Sequence, residues 1–427
     1  MLNFFKKFNF KIIIFFFIIF FSFYRSPYIF LNGRFFAEES IHFAYAWKNG
    51  FLNGLFFIEA YAGYFNFIAN ILASFASLIK IEQAAFVNIY GSFFTIILLP
   101  YLILFRDSIL FFNDKKKVLG SLLLFCSPPF TPEIWINSVN LQIYLCLIVI
   151  VILFMKNLNK KQKILNHSII LISGLSGIYS CILLPLFSLK YLKKKNFYNL
   201  FNLIIISFTT LIQFLLIIFF KTQNTLHDSV LKFNLDFSGI HLFFYNNILK
   251  PFFNRQIIYL IWEKFSIVFP LINYFIFIMI CILILFVILI KKYQNILEWL
   301  REDNVSIFLI YIFFTVSIII TFGSLGNYYG GRYSVITGVT LILLTFHVYS
   351  KVEQKFFKGT LLVLIISALT SGFYQFRPSS NDFKYQYINI LDCNNCPVWK
   401  EEVNNWKKNK DYIIKIWPYP KKSMRLN

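Results

Sequence analysis

The sequence predicts an all-α polytopic membrane protein, and three observations predict it. Apolar and aromatic residues fill 58% of the 427 positions, 14% are charged, and the mean hydropathy is +0.66. A soluble domain of this size carries far more surface charge. Long apolar runs recur along the chain, many of them near the ~20 residues that a bilayer crossing needs. Basic residues gather in the short loops between those runs, as the positive-inside rule requires. The formal charge of +22 is accordingly read as membrane topology, with the lipid bilayer as partner and no nucleic acid.

Roughly eleven hydrophobic segments are expected, with the N-terminus inside. Span 1 covers 10–30, behind Lys6, Lys7 and Lys11, and has no small-residue cleavage site after it, so it is read as uncleaved. The first outer loop, 31–83, is amphipathic and contains Gly33–Gly63. Its last part, 64–79, is apolar, but counting it as a span would place Lys115–Lys117 outside. It is therefore read as an interfacial or re-entrant helix with Asn66 and Asn70 on its polar side.

Span 2 is 84–105 and span 3 is 118–130, ending in a Pro-rich stretch (127–132) that forces an extended exit. A short outer loop, 131–140, precedes span 4 at 141–155. The run 167–189 is interrupted by Ser-Gly-Leu-Ser-Gly at 173–177 and flanked by lysines at both ends. It is read as a hairpin of two half-helices lining a cavity, because broken helices persist in membranes where their freed backbone groups find partners. Span 7 is 198–220, followed by a long outer segment, 221–264. Spans 8 to 11 are 265–290, 306–322, 334–349 and 359–373, with an outer loop at 323–333. The chain thus divides into a bundle, 1–373, and a small outer tail, 374–427. Cys393 and Cys396 in the tail are read as a structural disulfide. The other four cysteines lie in apolar runs as small hydrophobes.

Chemistry centres on the first outer loop. Glu38 and Glu39 stand where the chain leaves lipid, a costly place for two carboxylates unless they face water, a cation or a substrate. On a helix they point about 100° apart, so one of them is expected to face a cavity as general base or as ligand to a divalent cation such as magnesium or manganese. His42 lies at helical spacing from both and is a candidate second ligand. Glu59 is a further acid, ranked below Glu38. In the loop 131–140, Glu133 offers a carboxylate, Trp135 a stacking platform, and Asn137 and Asn140 amide groups suited to sugar hydroxyls. Arg332, after Gly330 and Gly331 and before Tyr333, suits phosphate oxygens. No nucleotide-binding or nucleophile-elbow motif is present.

Phe36-Ala-Glu-Glu39, the loop ending Tyr61-Ala-Gly-Tyr64, the Pro-rich turn with Glu133, and Gly-Gly-Arg-Tyr at 330–333 together resemble the GT-C superfamily of integral-membrane glycosyltransferases. The resemblance implies a polyprenyl-phosphate-linked sugar as donor, a cell-surface glycan or lipid as acceptor, and an active face on the extracytoplasmic side of the plasma membrane. It implies catalytic roles for Glu38 or Glu39, with Glu133 as a second acid, and substrate contacts by Tyr61, Tyr64, Arg332 and Tyr333. The first loop carries Glu where the family often has Asp, which leaves metal dependence open. Two alternatives stand beside this reading: a flippase or transporter of lipid-linked oligosaccharide, and an O-antigen polymerase or ligase type of protein.

Overall fold

The structure is a computed structural model and describes residues 2–126, 132–223, 225, 244–253, 304–323, 332–375, 397–418 and 422–426. The expected disulfide at Cys393 and Cys396, span 265–290, Gly330, Gly331, the turn 127–131 and most of the segment 221–264 lie outside the described residues. The chain is an all-α membrane protein. Among the described residues four helices are long and apolar enough to cross a bilayer: Ile81–Phe105, Phe197–Thr222, Ser334–Lys351 and Lys355–Tyr374.

The chain divides into two compact units. The first comprises residues 1–125, 130–230 and 376–427, and the second 126–129 and 231–375. In the first unit, α1 (Leu2–Arg25) runs into α2 (Pro27–Asn32), whose first residue is proline, the position where a missing N–H costs nothing. Gly33 ends α2 at φ +72°, with Ala85 and Phe86 against it. The first loop then folds as α3 (Glu39–Asn49), α4 (Phe51–Leu55) and α5 (Phe67–Ser77). At 1.5 Å per residue, the 11 residues of α5 extend roughly 16 Å, about half of a hydrocarbon core. By length α5 alone falls short of a full crossing. Asn66 and Asn70 are buried, however, and do not form a polar outer side. Asn70 donates from Nδ2 to the carbonyls of Leu55 (3.1 Å) and Phe57 (2.7 Å), tying the two arms of the loop together.

Next come α6 (Ile81–Phe105), α7 (Asp114–Phe125) and α8 (Leu141–Leu153). Every residue of α8 is buried, so this apolar helix is wrapped by protein and sees no lipid. The hairpin follows: α9 (Lys160–Leu175), a 3-10 turn (Tyr179–Leu183) and α10 (Leu184–Lys193). Asn159 starts α9 with a capping box to Gln162. The break falls at Gly177, φ +97°, where a side chain is strained.

Helix α11 (Phe197–Thr222) carries the membrane signature most clearly. Its buried residues are Asn199, Asn202, Ile205, Ile206, Thr209 and Gln213, at helical spacing, whereas Phe208, Leu211, Phe214, Leu215 and Phe219 are exposed. A polar inside with an apolar outside fits lipid as solvent, where backbone and amide groups must be satisfied within the protein. Gln213 does this at the hairpin break. It accepts from the N–H of Phe65 (3.0 Å) and donates to the carbonyls of Phe65 (3.0 Å) and Gly174 (3.1 Å). The Gly177 N–H donates to Phe65 O (2.9 Å), and the Ile68 N–H donates to Ser176 Oγ (2.9 Å). Helices α9 and α10 are thus separated by a break whose polar groups pair with Gln213, Phe65 and Ile68.

In the second unit, α12 (Asn304–Gly323), α13 (Ser334–Lys351) and α14 (Lys355–Gln375) pack with the π-helical turn Phe244–Leu249. Thr337 Oγ1 donates to Asn247 Oδ1 (2.5 Å), and Ser367 Oγ to Phe252 O (2.6 Å).

The tail belongs to the first unit. Helix α15 (Trp399–Lys408) and a two-residue antiparallel ladder, β1 (Ile414–Lys415) with β2 (Ser423–Met424), close over the first loop. Trp399, Val403, Trp406, Ile414, Ile416 and Met424 share one apolar core with Phe35, Phe43, Ala73 and Ala84. Trp399 Nε1 donates to Ile81 O (2.9 Å).

Candidate active site

Three segments far apart in sequence meet at the start of α3. The parallel bridge between Phe36 and Trp417 is closed by Ala37 N–H to Trp417 O (2.6 Å) and Trp417 N–H to Phe35 O (3.1 Å). Ala37 takes φ +45°, a left-handed conformation that costs a non-glycine residue free energy unless its surroundings hold it. That turn sets the directions of the next two side chains, and they diverge as helical geometry demands.

Glu39 points inward and is 1% exposed. Its Oε2 accepts from Phe36 N–H (2.7 Å) and its Oε1 from Ser138 N–H (2.6 Å). Arg34 Nη1 lies 3.9 Å from Oε2, and Arg34 Nη2 donates to the carbonyls of Trp135 (3.1 Å) and Ile136 (3.3 Å). Burial pushes the Glu39 carboxyl up, against the opposing pull of Arg34 and the two N–H donors. Burial brings Arg34 down to about 10, which leaves it charged at neutral pH. Glu39 is thus a strut that fixes the loop 132–140 to the start of α3. Its carboxylate is enclosed by protein and does not face a cavity open to solvent.

The loop 132–140 serves the same end. Trp135 is 1% exposed, donates from Nε1 to Ser26 Oγ (2.9 Å) and lies under the Arg25 guanidinium at 4.6 Å. A ring so enclosed cannot be the expected sugar platform. Asn137 Oδ1 accepts from Val139 N–H (3.0 Å), and the side-chain amides of Asn137 and Asn140 both donate to Glu133 O (3.1 and 3.3 Å). Both asparagines shape the turn and are not open to ligand. Glu133 itself is half-buried at the start of the loop. His42 is buried, with Nδ1 2.7 Å from Asn70 Oδ1. Asn70 spends both amide hydrogens on carbonyls, so its Oδ1 accepts and His42 Nδ1 carries the proton. Burial holds the His42 pKa below its ordinary value, and the ring is neutral near pH 7.

Glu38 points the other way and is half-exposed. Lys422, from the tail, places Nζ 3.4 Å from Glu38 Oε1. Glu59, on the second arm of the loop, is half-buried, and its carboxyl is pushed up by burial and by Glu38, with Lys422 pulling it back down. The Glu38–Lys422 pair is therefore reachable by solvent, and Glu59 responds to the charge of both. Tyr61 is exposed two residues beyond Glu59, and Tyr64 Oη accepts from Gln142 Nε2 (3.1 Å). Arg332 and Tyr333 belong to the second unit, where Arg332 Nη2 donates to Tyr333 Oη (2.9 Å) at the start of α13.

For a resident divalent metal the fit is poor. Among the described residues no three His, Cys, Asp or Glu side chains gather as ligands. Glu39 already accepts two N–H groups, and His42 Nδ1 is committed to Asn70.

Sequence reasoning missed Lys422, Arg25 and Arg34. Arg25 and Arg34 left a trace, since charges beside apolar runs need a partner. Lys422 left none, because it is one lysine in a basic tail. Comparison of the chain with protein-family models, with curated proteins and with solved structures gives no match.

Proposed function

We propose that the protein is a membrane glycosyltransferase, moving a sugar from a polyprenyl-phosphate carrier to a glycan or lipid acceptor on the extracytoplasmic face of the plasma membrane. One observation carries this reading: Glu38, half-exposed in the first loop, pairs with Lys422 of the tail at 3.4 Å, with Glu59 close enough for its carboxyl to respond to both charges. A transfer of this kind needs a carboxylate to take the acceptor's hydroxyl proton. It also needs a cation to favour the departing phosphate. Glu38 is the base in this scheme. The acceptor oxygen attacks the anomeric carbon, the bond from that carbon to the phosphate oxygen breaks, and polyprenyl phosphate leaves with the electron pair. Lys422 faces the phosphate, and Glu59 tunes the charge of the pair. No step is routed through a metal.

The transport alternative needs ionisable or broken helices spread through the bundle, and the break near Gly177, the one place in the sequence that qualifies, has its backbone groups paired with Gln213 and Phe65. The polymerase or ligase alternative relied on the loop 221–264, of which the described residues include only short pieces. A strain lacking the protein separates the three. The transferase reading expects surface glycans short of one sugar at normal chain length and amount. Loss of whole exported chains would favour transport, and loss of chain length alone would favour polymerisation.

A further inference from the structure

The far end of the hairpin carries a charge pattern that the proposed reaction does not use. Residues 156–195 contain eight lysines and no carboxylate, and between Asp114 and Asp228 the only acid is Glu133. The fold gathers these lysines. Lys190 Nζ donates to Leu153 O (2.5 Å) at the end of α8, and Asn166 joins Met155 (3.8 Å to Sδ) to Tyr198 (2.9 Å to Oη). Lys163 lies 6.0 Å from the Tyr198 ring, and Asn199 Nδ2 donates to Lys194 O (2.9 Å). The start of α9, the end of α10 and the start of α11 therefore form one basic surface.

The basic stretch 107–117 of this unit behaves differently. Lys117 pairs with Asp107 at 3.3 Å within the 107–117 stretch, and Asp114 of the same stretch pairs with Lys11 at 2.5 Å, so carboxylates stand among these lysines. Among the described residues no carboxylate pairs with Lys156, Lys160, Lys161, Lys163, Lys194 or Lys195, and all six are exposed. Topology alone would be served by either arrangement, since the positive-inside rule counts Lys and Arg and gives acids little weight.

We infer that this surface is a docking site for anionic phospholipid headgroups. The occupant is a lipid and not a soluble anion because exposed Ile164, Leu192, Phe197 and Ile204 lie along the same helix ends. Phosphate beside hydrocarbon is what the boundary of a leaflet presents. Juxtamembrane lysines of this density attract anionic lipid through short-range, salt-screened forces.

The test uses the full chain in neutral detergent, titrated with phosphatidylglycerol or phosphatidylcholine and read by native mass spectrometry. Wild type should retain phosphatidylglycerol roughly tenfold or more better than phosphatidylcholine, with the preference shrinking as salt rises. The quadruple variant Lys160→Gln, Lys161→Gln, Lys194→Gln, Lys195→Gln should lose that preference. Lys115→Gln with Lys116→Gln, in the 107–117 stretch, should keep it. Melting midpoints in lipid-free detergent show whether each variant is folded, and the wild-type preference and its salt dependence stand as a test without any variant. An equal loss in both variants, no preference in wild type, or full displacement of phosphatidylglycerol by an equal concentration of inorganic phosphate would overturn the inference. None of these readouts depends on sugar transfer.

Discussion

Replacing Glu39 by glutamine keeps the shape of the side chain and removes what it does. Both carboxylate oxygens accept backbone N–H groups, at 2.6 and 2.7 Å. An amide puts an NH₂ against one of them, and a buried N–H is then left without an acceptor, at a cost of about 1–3 kcal/mol. Arg34 loses the only carboxylate beside it among the described residues, and breaking a buried ion pair from one side costs about 3–5 kcal/mol. The two effects share partners and do not add fully, so a loss of about 3–5 kcal/mol is expected. It should appear as a fall of several degrees in the melting midpoint of the purified protein, followed by size-exclusion chromatography in detergent. Glu38→Gln, which breaks only a half-exposed pair with Lys422, should shift the midpoint little. If Glu39→Gln melts with wild type yet abolishes function, the strut assignment is wrong and Glu39 belongs to the chemistry.

Further outcomes follow from the same packing. Gly177→Ala would drive a Cβ into the Gln142 side chain at φ +97°. Since strain of this kind costs about 1–3 kcal/mol before the clash is counted, expression and melting midpoint should both fall. Trp399→Ala opens a cavity between Phe35, Phe43 and Ile81, and at about 3–5 kcal/mol for a buried tryptophan it should release the tail to limited proteolysis. Glu59 has a raised carboxyl in the fold, so the folded form holds its proton to higher pH than the unfolded chain does. Stability from this group is complete below the ordinary carboxylate range and declines as pH rises through the raised value. Glu59→Gln should therefore raise the melting midpoint near pH 7.5 and leave it unchanged near pH 4.

Local patterns were legible in the sequence, and long-range partners were not. The short reach of α5, the break at the glycines near 177 and the divergence of Glu38 from Glu39 each depend on residues a few positions apart, where charge rules and helical spacing apply. The loop 131–140 misled for the opposite reason. A tryptophan, two asparagines and an acid in an outer loop have the chemistry of a sugar site, and only Ser26, Arg25, Arg34 and Glu39, about a hundred residues earlier, reveal them as a clamp. The tail presents the same difficulty across a longer interval. Its tryptophans Trp399 and Trp406 lie on the face of α15 that packs on Phe35 and Phe43, and nothing local named those partners. Lys422 reaches Glu38 from a tail that the Trp417–Phe36 bridge and the shared apolar core hold against the first loop.

The central claim is that Glu38, and not its neighbour, is the acid that acts on substrate. Surface glycans of cells carrying Glu38→Gln should be compared by mass spectrometry with wild type and with a strain lacking the protein, at matched membrane expression and melting midpoint. The account predicts that Glu38→Gln is stable and that its glycans lack the same sugar as those of the deletion strain. A stable Glu38→Gln protein that restores the wild-type glycan would contradict it.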